Sequence, residues 1–327
     1  MIRVFKETNK KLDEFTIENK DFLALHDPNL MPKGSWIHVS DPDEAILCEI
    51  SKLTSIPLDF LMSSLDEEES ARIDKDDDAS LIVLDTPFLI DEEKKLYTTA
   101  PFIISYNQSY YVTIARHKFE LLDEVFKRVK LIEPHKHVRF TLNIIYRLAT
   151  LFINYLKKLN LKTEEIERTL RTSTKNKEIL ELMDISKCLI YFSTALNADK
   201  AVLIKLLKLK EFNEFEDDYD LMEDTKVELD QASEMCSISR SVLSSMTDAF
   251  GSVINNNLNS VMKTLSVITI VLSVPTLISS LYGMNVEDIP LAHHELAFWI
   301  VFAISLAFAI IASIILIFLS SGRGRKK

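Results

Sequence analysis

The C-terminal part of the chain carries two long runs of apolar residues without a charge. The first, Thr264–Leu281, has 18 residues, and the second, Leu296–Leu319, has 24. A helix needs about 20 mainly apolar residues to cross the hydrocarbon core of a bilayer. The first run reaches that length when it is extended to residues 262–282. Because uncharged runs of this length are rare in soluble cores, the pattern predicts two membrane-spanning helices, at about 262–282 and 296–319.

Charges at the ends of these runs predict their orientation. Lys263 precedes the first run, and the last six residues contain four Lys or Arg and no acid. The connecting loop, Gly283–Glu295, has three acids and no Lys or Arg. Positive charge accumulates on cytoplasmic flanks, so we expect both termini in the cytoplasm and the loop outside. The prediction is a multi-pass protein of the cell membrane (inner or plasma membrane).

The first apolar run differs from the second in carrying a stripe of hydroxyl side chains. Four of them, spaced 4, 3 and 4 residues apart, fall on one face of a helix: Thr269, Ser273, Thr276 and Ser280. Such a stripe faces either a neighbouring helix or water, and the residues alone favour neither. Two helices cannot enclose water, so a pore requires several subunits around an axis. Pro275 removes a backbone hydrogen bond in mid-span, and we expect a bend there.

The residues before the spans divide into two parts. In the first 120 residues, β-rich runs at 35–40, 80–90, 99–106 and 109–116 are separated by helical stretches at 42–54 and 58–66, which favours an α/β domain. Between Pro134 and Pro275 there is no proline and one glycine, which indicates long helices. One should run from Leu221 into the first span, as a stalk of about 90 Å.

The predicted fold is therefore an α+β membrane protein with three parts. Residues 1–120 form an N-terminal α/β cytoplasmic domain, residues 121–262 a helical cytoplasmic domain with the stalk, and residues 263–327 the transmembrane domain.

The net charge and the motifs of the sequence reduce the number of functions that the chain could have. The formal charge is −11, and an acidic body attracts cations and repels nucleic acid. The acidic segments are Asp66–Glu69, Asp74–Asp78 and Glu214–Asp224. Carboxylates suit Mg²⁺, although a solvated surface is the commoner explanation of a charge run. We find no catalytic or nucleotide-binding motif, so neither an enzyme nor an organic cofactor is expected. Three scattered cysteines suit a reducing cytoplasm.

A short motif at the end of the first span carries a family resemblance. The span ends Leu281-Tyr282-Gly283-Met284-Asn285, an acidic loop follows, and the second span lies close to the C-terminus. This resembles the CorA-type magnesium transporter family, whose hallmark is Gly-Met-Asn after the first of two terminal spans. The resemblance extends to Asn259–Lys263, to Trp36-Ile37, and to Leu65–Glu69.

The resemblance implies a funnel-shaped homopentamer in a lipid bilayer, with the first span lining the pore and the second forming an outer ring. Gly283, Met284 and Asn285 would form the selectivity filter, and Glu287 and Asp288 an outer acidic ring. The hydroxyl stripe would then face water, continued inward by Asn259, Met262 and Leu265. The full pore-lining set would be Asn259, Met262, Leu265, Thr269, Ser273, Thr276 and Ser280.

The resemblance also implies a regulatory Mg²⁺ site between neighbouring cytoplasmic domains. Asp224 and Asp248 fall where the family has acidic stalk residues. Where the family often has an N-terminal acid, this chain has Met62-Ser63-Ser64, so Asp66 or Glu67 would substitute.

The expected function is Mg²⁺ influx down its electrochemical gradient, gated by cytoplasmic Mg²⁺, with cobalt or nickel as substitutes. Two alternatives stay open: a zinc transporter of the same superfamily, and a membrane cation sensor that conducts nothing.

Overall fold

A computed structural model describes residues 1–8, 11–17, 31–76, 78–117, 136–172, 176–213, 218–284 and 296–322. The chain forms two compact units, Met1–Thr247 and Asp248–Lys327. Each unit is described below on its own. The three domain boundaries expected from the sequence stay predictions.

A seven-stranded mixed sheet organises the first unit. Its strands are β1 (Ile2–Thr8), β2 (Lys11–Ile17), β3 (Ser35–Ser40), β4 (Arg72–Asp76), β5 (Ala79–Asp91), β6 (Leu96–Tyr106) and β7 (Tyr110–Ala115). Their order is β2-β1-β3-β7-β6-β5-β4. Only β3 and β7 pair in parallel; the other neighbours are antiparallel. All four strands expected from the sequence are confirmed, and β1, β2 and β4 were not predicted.

The described residues contain six α-helices. They are α1 (Glu44–Thr54), α2 (Leu58–Met62), α3 (His137–Thr172), α4 (Asn176–Leu206), α5 (Tyr219–Tyr282) and α6 (Ala297–Gly322). Asp43 caps α1, because its carboxylate accepts the Ile46 N–H at 2.8 Å. The long helix that the sequence predicts from Leu221 into the first apolar run is present as α5, which has 64 residues.

Both faces of the sheet are covered by helices. One face packs on α1 and α2 around buried Ile, Leu and Val side chains, among them Ile46, Leu61 and Ile114. The other face packs on α3 and α4 through aromatic rings. Trp36 of β3 lies 4.7 Å from Phe140 of α3, between ring centroids. Because both faces are buried, the strands read as apolar runs rather than as alternating patterns.

The first part of α5 packs on α3 and α4 through a regular seam. Its buried residues are Met222, Thr225, Leu229, Ala232, Cys236, Ser239 and Leu243. They alternate spacings of 3 and 4 residues, the heptad pattern of helices that pack side by side. Hydrogen bonds join these helices: the Thr150 hydroxyl of α3 donates to the Glu228 carboxylate at 3.0 Å, and the Cys236 thiol donates to the Leu189 carbonyl of α4 at 3.4 Å.

The second unit contains the end of α5 and helix α6. Both are long and apolar enough, by length and composition, to cross a membrane. They contain the two apolar runs from which the sequence predicts spans, except that α6 begins at Ala297 rather than at Leu296. Most large apolar side chains of this unit are exposed, such as Leu272, Phe302 and Ile314. Apolar exposure on this scale in a single chain indicates a surface that lipid or other subunits cover.

Candidate ion pathway and metal-binding residues

The membrane part of α5 has one half-buried face. Val267, Val271, Val274 and Ile278 are partly buried, whereas most residues around them are exposed. Their spacing of 4, 3 and 4 places them on one side of the helix. At about 100° per residue, the centre of the Thr269–Ser280 hydroxyl stripe lies roughly 200° away from them. The two faces of α5 are therefore opposite one another.

Helix α6 has a matching buried face of small residues. Ser305 and Ala309 are each 7% exposed, and Val301 and Ala312 are half-buried. Small residues four apart let two membrane helices approach closely. Within this unit, the valine face of α5 and the small-residue face of α6 are the least exposed surfaces. The hydroxyl stripe, by contrast, is exposed.

The hydroxyl groups of the stripe are already oriented. Thr269 donates to the Leu265 carbonyl at 2.8 Å, Ser273 to Ile270 at 2.9 Å and Thr276 to Leu272 at 2.9 Å. Since a hydroxyl has one proton and two lone pairs, each oxygen then presents only acceptor sites outward. A hydrated cation directs the hydrogens of its waters outward. The stripe therefore suits a hydrated cation better than an anion.

The inner end of this face becomes apolar. Asn259 is exposed, and Met262 and Leu265 are 53% and 55% exposed. All three lie on the same side of α5 as the hydroxyl stripe, as the sequence predicts. In an assembly around an axis, Met262 and Leu265 would form the apolar constriction.

The outer end is described only as far as Met284. The Gly283 N–H donates to the Ser279 carbonyl at 3.0 Å, so Gly283 ends the helix. A Cβ atom at Gly283 would lie 3.3 Å from that carbonyl oxygen, which is tighter than most Cβ contacts. Met284 is exposed. The predicted filter residue Asn285 and the predicted acidic ring, Glu287 and Asp288, lie outside the described residues.

The four predicted regulatory acids are exposed: Asp224, Asp248, Asp66 and Glu67. Glu67 forms an ion pair with Arg116 at 3.3 Å, and Asp66 accepts the Glu68 N–H at 2.9 Å. Among the described residues, no three His, Cys, Asp or Glu side chains are grouped to hold a metal ion. The role of these four acids in binding a metal ion stays a prediction.

Ser63 and Ser64, which lie where the resemblance leads us to expect an acid, are part of the fold. Ser64 donates to the Leu61 carbonyl at 2.7 Å, and Ser63 donates to Asp59 and accepts from Arg72, both at 3.2 Å. Both side chains are buried. They therefore stabilise the turn that follows α2 rather than offering free oxygens to an ion.

Sequence reasoning missed a buried polar network in the sheet. His38 contacts the Thr113 hydroxyl at 3.0 Å through Nδ1 and the Ser40 hydroxyl at 2.9 Å through Nε2, while Trp36 donates to Thr113 at 2.9 Å. Complete burial, reinforced by the charge of Arg3, lowers the pKa of His38 to about 3. The imidazole is therefore neutral at physiological pH. The pattern of apolar and polar residues along β3 does not indicate this polar network.

A pair of carboxyl groups was also missed. Strand β4 pairs with β5 only as far as Val83, so the next part of that edge is open. There the Asp85 N–H donates to Oδ1 of Asp199 on α4 at 2.8 Å. Burial raises the pKa of Asp85 to about 6, and burial followed by the charge of Asp85 raises the pKa of Asp199 well above its usual range. The residues lie 114 apart in sequence, so no local motif marks them.

Similarity to known proteins agrees with these features. The family described as CorA-like Mg²⁺ transporter protein matches residues 33–321. The chain is 30% identical over 318 residues to the cobalt/magnesium transport protein CorA of Methanocaldococcus jannaschii, covering 95% of this chain and 94% of that protein. It is 23% identical to the magnesium transport protein CorA of Wolinella succinogenes, over 86% and 89% of the two chains.

Solved structures support the same fold. The complete structure of the CorA magnesium transporter from Methanocaldococcus jannaschii superposes with a TM-score of 0.77 at 24% identity, covering 98% of this chain and 96% of that one. The family match covers strands β3 to β7, the long α5, and α6 as far as residue 321. On these matches, the chain belongs to the CorA-like Mg²⁺ transporter family.

Proposed function

We propose that this chain is one subunit of a homopentameric channel that conducts Mg²⁺ across the cell membrane into the cytoplasm. The observation that carries the proposal is the two-sided character of α5. Its valine face is half-buried, and its opposite face presents hydroxyl acceptors. Five such faces around an axis would line a continuous path for a hydrated cation. Mg²⁺ suits this path because it releases its waters reluctantly.

In the proposed orientation, both termini are cytoplasmic and the 283–295 loop is outside. A negative interior then favours inward movement of a divalent cation by about 4.6 kcal/mol per 100 mV. Glu287 and Asp288, repeated around the axis, would concentrate cations above the outer mouth. No coupled proton is required for this driving force.

The filter would be the ring of Gly283, Met284 and Asn285. Neutral amide and carbonyl oxygens can hold a hydrated ion without binding it too tightly to leave. Helix α5 ends at Gly283, whose backbone N–H donates to the Ser279 carbonyl. The side-chain oxygen of Asn285 is an acceptor, as the waters of a hydrated cation require, so we expect that oxygen to contact the ion.

The gate would be the apolar ring of Met262 and Leu265, which blocks ions when water leaves it. Cytoplasmic Mg²⁺ would favour the closed state by binding between subunits, with Asp224 and Asp248 from the stalk of one subunit. Asp66 or Glu67 of the next subunit would complete the site. Binding to Glu67 would have to compete with its ion pair to Arg116. An ion shifts a gate only by its difference in affinity for the two states.

Flux into liposomes that contain only this protein tests the proposal. We expect Mg²⁺ uptake that Asn285→Ala abolishes. Thr276→Val, which removes an outward acceptor while keeping shape, should reduce uptake several-fold, whereas Thr276→Ser should preserve it. Uptake of Zn²⁺ in preference to Mg²⁺ would identify a zinc transporter instead. Absence of uptake of every divalent ion tested would leave a non-conducting sensor.

The proposed inhibition of uptake by cytoplasmic Mg²⁺ is tested separately. With Mg²⁺ on the cytoplasmic side, Asp224→Ala should relieve inhibition of uptake. The matched control is Glu223→Ala, an exposed acid one position earlier that points about 100° away on the same helix. Equal inhibition of the Asp224→Ala variant and the wild type would remove Asp224 from the site.

A further inference from the structure

Four asparagines of α5 lie on the cytoplasmic side of the predicted span, a few residues before it begins at residue 262: Asn255, Asn256, Asn257 and Asn259. All four are exposed and helical. At about 100° per residue, Asn255 and Asn259 lie about 40° apart, on the side of Met262 and the hydroxyl stripe. Asn256 and Asn257 lie on the other side, toward the valine face. The cluster is therefore divided evenly between the two faces of one helix.

We propose that Asn255 is a further ion-contacting residue, forming a second amide ring of the pathway one helical turn on the cytoplasmic side of Asn259. This inference rests on the proposed function, since it needs the hydroxyl side of α5 to face a shared axis. It adds a residue that the family motif does not mark. The ligand is a hydrated divalent cation, contacted through its waters.

The chemistry of the amide suits this position. An asparagine oxygen accepts hydrogen bonds from the waters of a hydrated cation, and it has no charge that would trap the ion. Four residues separate Asn255 from Asn259, so the two rings would be about 6 Å apart along the axis. An ion that leaves one ring therefore meets the next after one turn. Leu258, on the same side, is apolar and offers no such contact.

The native cysteines allow a direct test of which side chains face the pathway. Cys188 and Cys236 are buried, and Cys48 is half-buried. In a Cys48→Ser background, single cysteines at 255, 256, 257 and 259 are treated from the cytoplasmic side with a cationic, membrane-impermeant thiol reagent. Mg²⁺ flux of the assembled full-length protein is then measured.

We expect modification of Asn255→Cys and Asn259→Cys to reduce flux at least tenfold, and of Asn256→Cys and Asn257→Cys to change it less than twofold at equal labelling. Without any reagent, Asn255→Leu should reduce Mg²⁺ flux about tenfold, and Asn256→Leu should leave it near wild type. The flux of the cysteine variants is measured on assembled protein and does not depend on Asn255→Leu. A folding defect of Asn255→Leu alone would therefore not decide the result.

Two results would overturn the inference. One is block at residue 259 without block at residue 255, which would place Asn255 away from the pathway. The other is block at residue 255 together with unchanged flux of Asn255→Leu, which would show that the amide makes no ion contact. Either result leaves the proposed channel intact. Failure of the wild type to conduct Mg²⁺ in the same assay would contradict the proposed function itself.

Discussion

The Asp85–Asp199 pair makes the stability of the first unit depend on pH with a sign opposite to the usual one for a carboxylate. Burial raises the pKa of Asp85 from 3.8 to about 6. Between these two values the folded state binds more protons than the unfolded state. The stabilisation is therefore complete below the unfolded pKa and is lost as the pH rises through the folded pKa. Asp85→Asn removes this dependence and keeps the backbone N–H that Asp199 accepts.

The size of the effect follows from the two pKa values. From pH 5 to pH 8, the folded carboxyl releases nearly all of its proton, whereas the unfolded one has already released it. Integrating the difference gives a loss of about 1.4 kcal/mol of unfolding free energy for the wild type. Relative to the wild type, Asp85→Asn should thus gain about 1.4 kcal/mol between pH 5 and pH 8. Asp199→Asn should change stability in the same direction, because the pKa of Asp199 is also raised.

Urea unfolding followed by the fluorescence of Trp36 measures this difference. Trp36 is fully buried in the first unit, and a Trp299→Phe background removes the other tryptophan. The exposed Asp220→Asn controls for the loss of one negative charge. A variant-minus-wild-type difference that is the same at pH 5 and pH 8, or that falls with pH, would refute the argument.

Three further predictions concern other parts of the fold. Because burial lowers the pKa of His38 to about 3, the unfolding free energy of the wild type relative to His38→Gln should fall by about 1.4 kcal/mol per pH unit below about pH 6.5 in acid urea titrations. Gly283→Ala forces a Cβ to 3.3 Å from the Ser279 carbonyl, so Mg²⁺ uptake should fall at normal membrane expression; unchanged uptake would contradict the tight helix end. Ala309→Leu should cost about 1–3 kcal/mol by overpacking the buried face of α6, seen as a lower melting temperature in detergent, whereas Ile310→Leu on the exposed side should not.

The elements of the fold that could be predicted from the sequence are those with a strong local signal. The 64-residue α5 was predictable because proline and glycine are nearly absent from it, and β3, β5, β6 and β7 because they are apolar runs buried on both faces. Strand β4 (Arg72–Asp76) could not be predicted, since its alternating acids and bases are typical of a solvated loop. It pairs at the edge of the sheet with β5, where charged side chains reach water.

The candidate site also has features that could be predicted from the sequence and features that could not. The positions of Thr269, Ser273 and Thr276 on one face follow from helical spacing alone. The orientation of their hydroxyl protons could not be deduced, because a hydroxyl in a helix can donate to its own backbone or outward. The Asp85–Asp199 pair joins distant elements, so only the folded chain brings it together. The regulatory role of the four acids, which rests on the family resemblance alone, stays a prediction.

Electron cryomicroscopy of the full-length protein in lipid tests the central claim most directly. The account predicts five copies around a water-filled passage, with Thr269, Ser273 and Thr276 lining it and the Val271 side of α5 against α6. A structure in which these hydroxyls contact lipid, or are packed in a dry contact between helices with no central passage, would contradict it.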